Sequence, residues 1–290
     1  LAVGVGLAGA SAGFCWAPFN DAAERVVPGE RRAAALSAVS TGTTAGVAVA
    51  GALFLAVASE AIGWRTAWAG FSAVALAAAL VARLWMPAGR GHPVATPHGW
   101  SAFLRREAAP LYAAAACFGL ANAVYLAFAA EHVVEAGGLP GLPEGGAAAV
   151  IFLGYGACGI LGLATGLIEA RIGLHTLLGA IFAAFAASLA LVALAPGTWG
   201  AVLASAGLHG AAVMTVSAVL SFWSLRLFPG QGSLGFTAAL VAAAAGSVVG
   251  PALAGLLADA TGIATAFLVI AFLPLGAALG FAGQAVLRTA

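Results

Sequence analysis

Few side chains in this sequence could do chemistry, and several of those lie where charge is costly. His209 stands about nine residues into the apolar run 200–225, with Ser205 one helical turn before it. An imidazole changes charge near physiological pH. At that depth it could carry a proton, bind a solute, or hydrogen-bond a neighbouring helix. In the run 110–130, Asn122 and Tyr125 are spaced i and i+3 and share a helix face. Trp16 and Asn20 near the end of the first run, and Tyr155 in the run 146–168, are further candidates for a substrate or proton pathway. Interhelical bonding or interfacial anchoring is the alternative for each.

Other polar groups cluster at the ends of apolar runs. Glu131, His132 and Glu135, with Glu144 beyond, read either as an outer gate that attracts cations or as a solvated helix end. His92 and His98 lie in a polar stretch with too few ligands for a metal site. Cys15, Cys117 and Cys158 sit singly in apolar runs, without CxxC spacing, and read as small buried residues. The absence of lysine excludes a Walker phosphate loop, and no HExxH or GxSxG occurs. No catalytic residue, cofactor or metal is expected, and a net charge of +1 offers no electrostatic case for nucleic acid.

These residues must be held by helices in lipid. The 290 residues are 63% hydrophobic and 7% charged, against about a quarter charged in soluble domains. Mean hydropathy is +1.06. A bilayer core of about 30 Å takes about 20 apolar residues, and nine runs qualify: 1–18, 39–62, 66–86, 110–130, 146–168, 174–195, 200–225, 233–258 and 262–286. None shows the short alternation of barrel strands, so the expected fold is all-α and integral to the membrane. The 40 glycines suit helices that must approach closely without a hydrophobic reward. If the chain alternates across the bilayer, ten of eleven arginines fall on one side and only Arg65 on the other. By the bias of positive charge the arginine side is cytoplasmic, so a multi-pass cell-membrane protein is expected.

The chain also repeats itself. Arg25-Val-Val-Pro-Gly-Glu30 returns as Arg226-Leu-Phe-Pro-Gly-Gln231, each at an expected cytoplasmic helix end. Downstream, Gly51, Glu60, Gly63, Thr66 and Trp68 match Gly250, Asp259, Gly262, Thr265 and Phe267. Both copies run the same way through the membrane, which makes this a parallel repeat.

On these features the sequence resembles the major facilitator superfamily, whose twelve helices form two six-helix halves. Gly46 to Gly51 followed by Gly63-Trp64-Arg65 resembles the family's glycine-rich fifth helix and its turn into the sixth; Gly250-Pro251 through Asp259 and Gly262 resembles the matching later segment. Gly166-Leu-Ile-Glu169-Ala-Arg171-Ile-Gly173 is similar to the family's cytoplasmic G-x-L-a-D-R-x-G signature, departing where Ala170 takes the Asp position and Glu169 precedes it. The resemblance implies nine helices matching the fourth through twelfth, a chain shortened at its front. It would divide into a partial bundle (1–86), a cytoplasmic linker (87–106) and a six-helix bundle (107–290). It further implies alternating-access transport of a small solute, coupled to protons, by a monomer in a lipid bilayer. Arg171, Arg25 and Arg226 would then serve as an inner latch, or as simple positive-inside anchors. A non-transporting membrane sensor or scaffold, or a membrane-embedded enzyme, is the alternative.

Overall fold

The computed structural model describes residues 19, 22–23, 26–85, 105–143, 145–229 and 231–289, with side chains through residue 283. Eight helical spans among these residues are long and apolar enough to cross a membrane. The run 1–18, with Trp16, and the positions Asn20 and Arg25 lie outside the described residues, as do His92 and His98 and most of the expected linker.

The helices are α1 (Gly29–Ala58), α2 (Trp64–Trp85), α3 (Ala109–Glu135), α4 (Gly146–Gly159), α5 (Thr165–Ile172), α6 (Leu174–Leu194), α7 (Trp199–Leu227), α8 (Gly232–Thr261) and α9 (Ile263–Thr289). Two boundaries differ from the sequence reading. α1 begins at Gly29, directly after Pro28, and not near residue 39. Its first turn carries Glu30 and is followed by Arg31 and Arg32, so the helix projects beyond its apolar part and the charges mark its end, not a loop. The expected single helix over 146–168 is instead α4 and α5 joined by a 3-10 segment, Ile160–Ala164. Together they still make one span, Gly146–Ile172.

Turns between spans are short because glycine permits them. Gly173 between α5 and α6 has φ +79°, and Gly262 between α8 and α9 has φ +88°. L side chains rarely adopt that left-handed backbone. One end of the array therefore carries Arg31, Arg32, Arg83, Arg105, Arg106, Arg171 and Arg226, and the opposite end carries Arg65.

α7 is the most sheltered span and α2 the least. α3 packs against α8, α6 against α9, and α1 against α4, while α7 touches α4, α6, α8 and α1. Glycines set these approaches. A Cβ at Gly119 or Gly246 would overlap the backbone of Ala243 or Ala116, and one at Gly210 would overlap the Tyr155 carbonyl. The repeat-related glycines behave alike: Gly51 abuts α4 at Leu153, and Gly250 abuts α3 at Leu120. A methyl added at Gly46 would meet nothing within 4 Å, and Pro251 lies inside α8. Between the helices lies an apolar core that includes Phe182, Phe185, Phe236 and Phe267, all buried.

Candidate functional site

α7 places Ser205 and His209 on one face, one turn apart, and both are fully buried. α3 brings Tyr125 against them: its ring stacks on the His209 imidazole with centroids 3.9 Å apart and planes 13° from parallel. Phe185 of α6 meets the same imidazole edge-on at 5.0 Å. Tyr155 of α4 lies 6.0 Å away, tilted. Close approach of α4 to α7 at Gly210, the residue after His209, is what lets Tyr155 reach this group.

Hydrogen bonds join the cluster. Ser188 Oγ lies 3.0 Å from His209 Nδ1. Ser205 Oγ donates to the Ser188 carbonyl at 2.7 Å and lies 3.2 Å from the Tyr125 hydroxyl. A serine hydroxyl has one proton; with it directed to the carbonyl, the tyrosine is the donor in the second contact. The Tyr155 hydroxyl donates to Asn122 Oδ1 at 3.4 Å. Among the described residues His209 Nε2 has no partner. The nest thus offers one unmatched ring nitrogen among hydroxyls and aromatic faces. Every acid among the described residues sits near a helix end, so no carboxylate accompanies the imidazole. Such a site suits a neutral hydrogen-bonding group, or a proton that arrives at Nε2.

The structure therefore brings together His209, Ser205, Tyr125, Asn122 and Tyr155. Two members, Ser188 and Phe185, were missed in the sequence. Ser188 is the only polar residue of α6 beyond its first turn, the one signal that marks it.

At the arginine-bearing end, Glu169 of α5 pairs with Arg226 of α7 through two bonds, Nη1–Oε1 at 2.7 Å and Nη2–Oε2 at 3.0 Å. The acid that precedes its signature position is thus the partner of the arginine in the repeated RxxPG turn. Arg171 is exposed and makes no ion pair among the described residues. Gly166 lies over Ala33 of α1, and Gly173 makes the turn. Arg105 bonds the Leu227 carbonyl and lies over the Phe228 ring at 4.8 Å.

At the opposite end, Glu131, His132, Glu135 and Asp259 line a cavity of about 410 Å³ between α3 and α8. His132 is buried beside Phe267, at 5.8 Å between ring centroids. Among the described residues no group of three His, Cys, Asp or Glu is close enough to hold a metal ion.

Eight apolar spans packed through glycines, with polar side chains gathered between them, define a multi-pass membrane protein. The Major Facilitator Superfamily profile matches residues 1–168, more than half of the chain. The chain belongs to that superfamily and is a membrane transporter of a solute. Comparison with curated proteins gives no match.

Proposed function

We propose that the protein carries a small, neutral or amphipathic solute by alternating access, with a proton moving through His209. The observation that supports this is the unpartnered Nε2 of a fully buried histidine near the middle of the most sheltered helix. Buried polar groups without partners are costly, and ionisable side chains at bilayer depth mark transport pathways. A bound solute that accepts from or donates to Nε2 relieves the mismatch. Tyr125 and Phe185 hold the imidazole plane, and Ser188 holds its other nitrogen. Ser205, Asn122 and Tyr155, with Trp16 and Asn20, complete the pathway in this reading.

In the same proposal, residues 1–86 belong to one bundle and 107–290 to the other, joined by a cytoplasmic linker. The arginine-bearing ends face the cytosol, the protein sits in the cell membrane, and it works as a monomer. The Glu169–Arg226 pair is part of the inner latch, together with Arg25 and Arg171. Gly51, which abuts Leu153 of α4, is a close contact over which the two bundles rock, and Gly250 packs α8 on α3 within the second bundle.

Reconstitution into proteoliposomes tests the central step. With a panel of neutral and amphipathic solutes, the wild type should show solute-dependent proton movement, and His209→Ala should lose it. Proton flux that persists unchanged in His209→Ala would eliminate the coupling role of His209.

A further inference from the structure

Three carboxylates stand together at the end of the array opposite the arginines. The last turns of α3 hold Glu131, His132 and Glu135, and the last turn of α8 holds Asp259. Glu131 and Glu135 are spaced i and i+4, and His132 and Glu135 i and i+3, so each pair shares a helix face. None of the three acids makes an ion pair among the described residues. Arg65, the one arginine at this end among those residues, lies instead over the Trp64 ring at 4.3 Å. Both helices also end here, and a helix C-terminus carries partial negative charge. Neither last turn holds an arginine: that of α3 has only His132, and that of α8 has no base. The amino end of α9, across the turn at Gly262, offsets one of the two helix ends.

These groups enclose a space. With Phe128 and Ile263 they line the cavity of about 410 Å³, and His132 is the only basic residue among those lining it. His132 is 8% exposed, and its Nε2 has no hydrogen-bond partner among the described residues. Its ring is braced by Phe267, with centroids 5.8 Å apart. A buried ring nitrogen without a partner is costly, and a donor that enters the cavity removes that cost. No three of the acid and imidazole groups converge closely enough for a metal ion. The volume is that of sites which take small organic molecules. Acids spread around the rim, with Phe128 and Ile263 between them, match a cation with an apolar body better than a compact ion.

We propose that this cavity binds a primary organic ammonium. Glu131, Glu135 and Asp259 take its charge, one N–H donates to His132 Nε2, and its apolar body lies against Phe128 and Ile263. The site takes a cation where the His209 nest suits a neutral group, and it rests on no part of the transport reading.

Equilibrium dialysis of the full chain in phosphatidylcholine nanodiscs, corrected with empty nanodiscs, tests the site with 2-phenylethylammonium. The neutral analogue 2-phenylethanol should bind about tenfold more weakly. Glu131→Gln, Glu135→Gln and Asp259→Asn in one chain should raise the Kd of the ammonium by about tenfold, the combined effect of three exposed charges. All three positions are exposed, so the amides leave the fold intact. His132→Leu should also raise that Kd by about tenfold. It should leave unchanged the Kd of trimethyl(2-phenylethyl)ammonium, which has the charge but no N–H to donate. His132→Gln keeps an acceptor and should recover most of the affinity. Where His132→Leu does not fold, the triple amide variant decides alone. Equal binding of ammonium and alcohol would overturn the proposal, as would a Kd that ignores the three amides or an equal loss of both ammonium probes in His132→Leu. The same loss in His209→Ala would place the ammonium at the other site and overturn it too.

Discussion

The imidazole of His209 is buried and held on three sides, and its Nε2 is left without a partner among the described residues. Stacking on Tyr125 and the edge of Phe185 fix its plane, and Ser188 fixes Nδ1. Ser188→Ala leaves Nδ1 without a partner in a fully buried setting. That should lower stability by about 1–3 kcal/mol, read as a lower thermal midpoint in detergent, and should lower solute-dependent proton flux. A variant that transports as the wild type would remove Ser188 from the site. His209, Ser205, Asn122, Tyr125 and Tyr155 were legible in the sequence because an ionisable or hydrogen-bonding side chain inside an apolar run must be matched by another. Ser188 was not, because a lone serine in an apolar helix is common, and only the crossing of α6 with α7 reveals its partner.

For the eight spans among the described residues, helix existence was legible from the length of the apolar run, and helix ends were legible where Pro or Gly stops the chain. The start of α1 at Gly29 could be read from Pro28-Gly29, yet hydropathy alone placed it later, because Glu30, Arg31 and Arg32 extend the helix past its apolar part. The 3-10 segment within the span Gly146–Ile172 had no such sign. Its sequence, ILGLA, holds no proline, and the tightening coincides with Gly159 and Gly162 lying under Thr44, Thr41 and Met214. Glycine approach is the device most sensitive to substitution. Gly210→Ala would drive a methyl into the Tyr155 carbonyl, with no flexible side chain to yield. Overpacking of this kind costs roughly 1–3 kcal/mol or more. The expected result is a sharp fall in monodisperse protein on size-exclusion chromatography, whereas Gly200→Ala, with open space around it, should behave as wild type.

Across the molecule, the arginine asymmetry was legible because topology must keep charge on one side of lipid. The pairing of Glu169 with Arg226 was not, since it joins residues 57 apart in the chain and replaces the expected signature acid. It fastens the end of α5 to the end of α7. Arg226 is half-exposed, so water and salt weaken the pair, and stability should change by at most about 1 kcal/mol in Glu169→Gln. If the pair is part of the latch, its effect falls on the conformational balance: Glu169→Gln should alter transport rate more than thermal midpoint, and the exchange Glu169→Arg with Arg226→Glu should restore part of it. Equal rates in wild type and Glu169→Gln would dismiss the latch.

α7, flanked by α4, α6, α8 and α1, also has a mechanical consequence. A tip that pulls the C-terminus out of the bilayer should first draw α9 and α8 away as a hairpin, because both present much of their surface to lipid. The next rupture must free α7 from its remaining neighbours at once, and force spectroscopy should record the highest peak of the trace there. A tallest peak at the α8–α9 hairpin would mean that resistance to extraction resides at the periphery instead of at the axis.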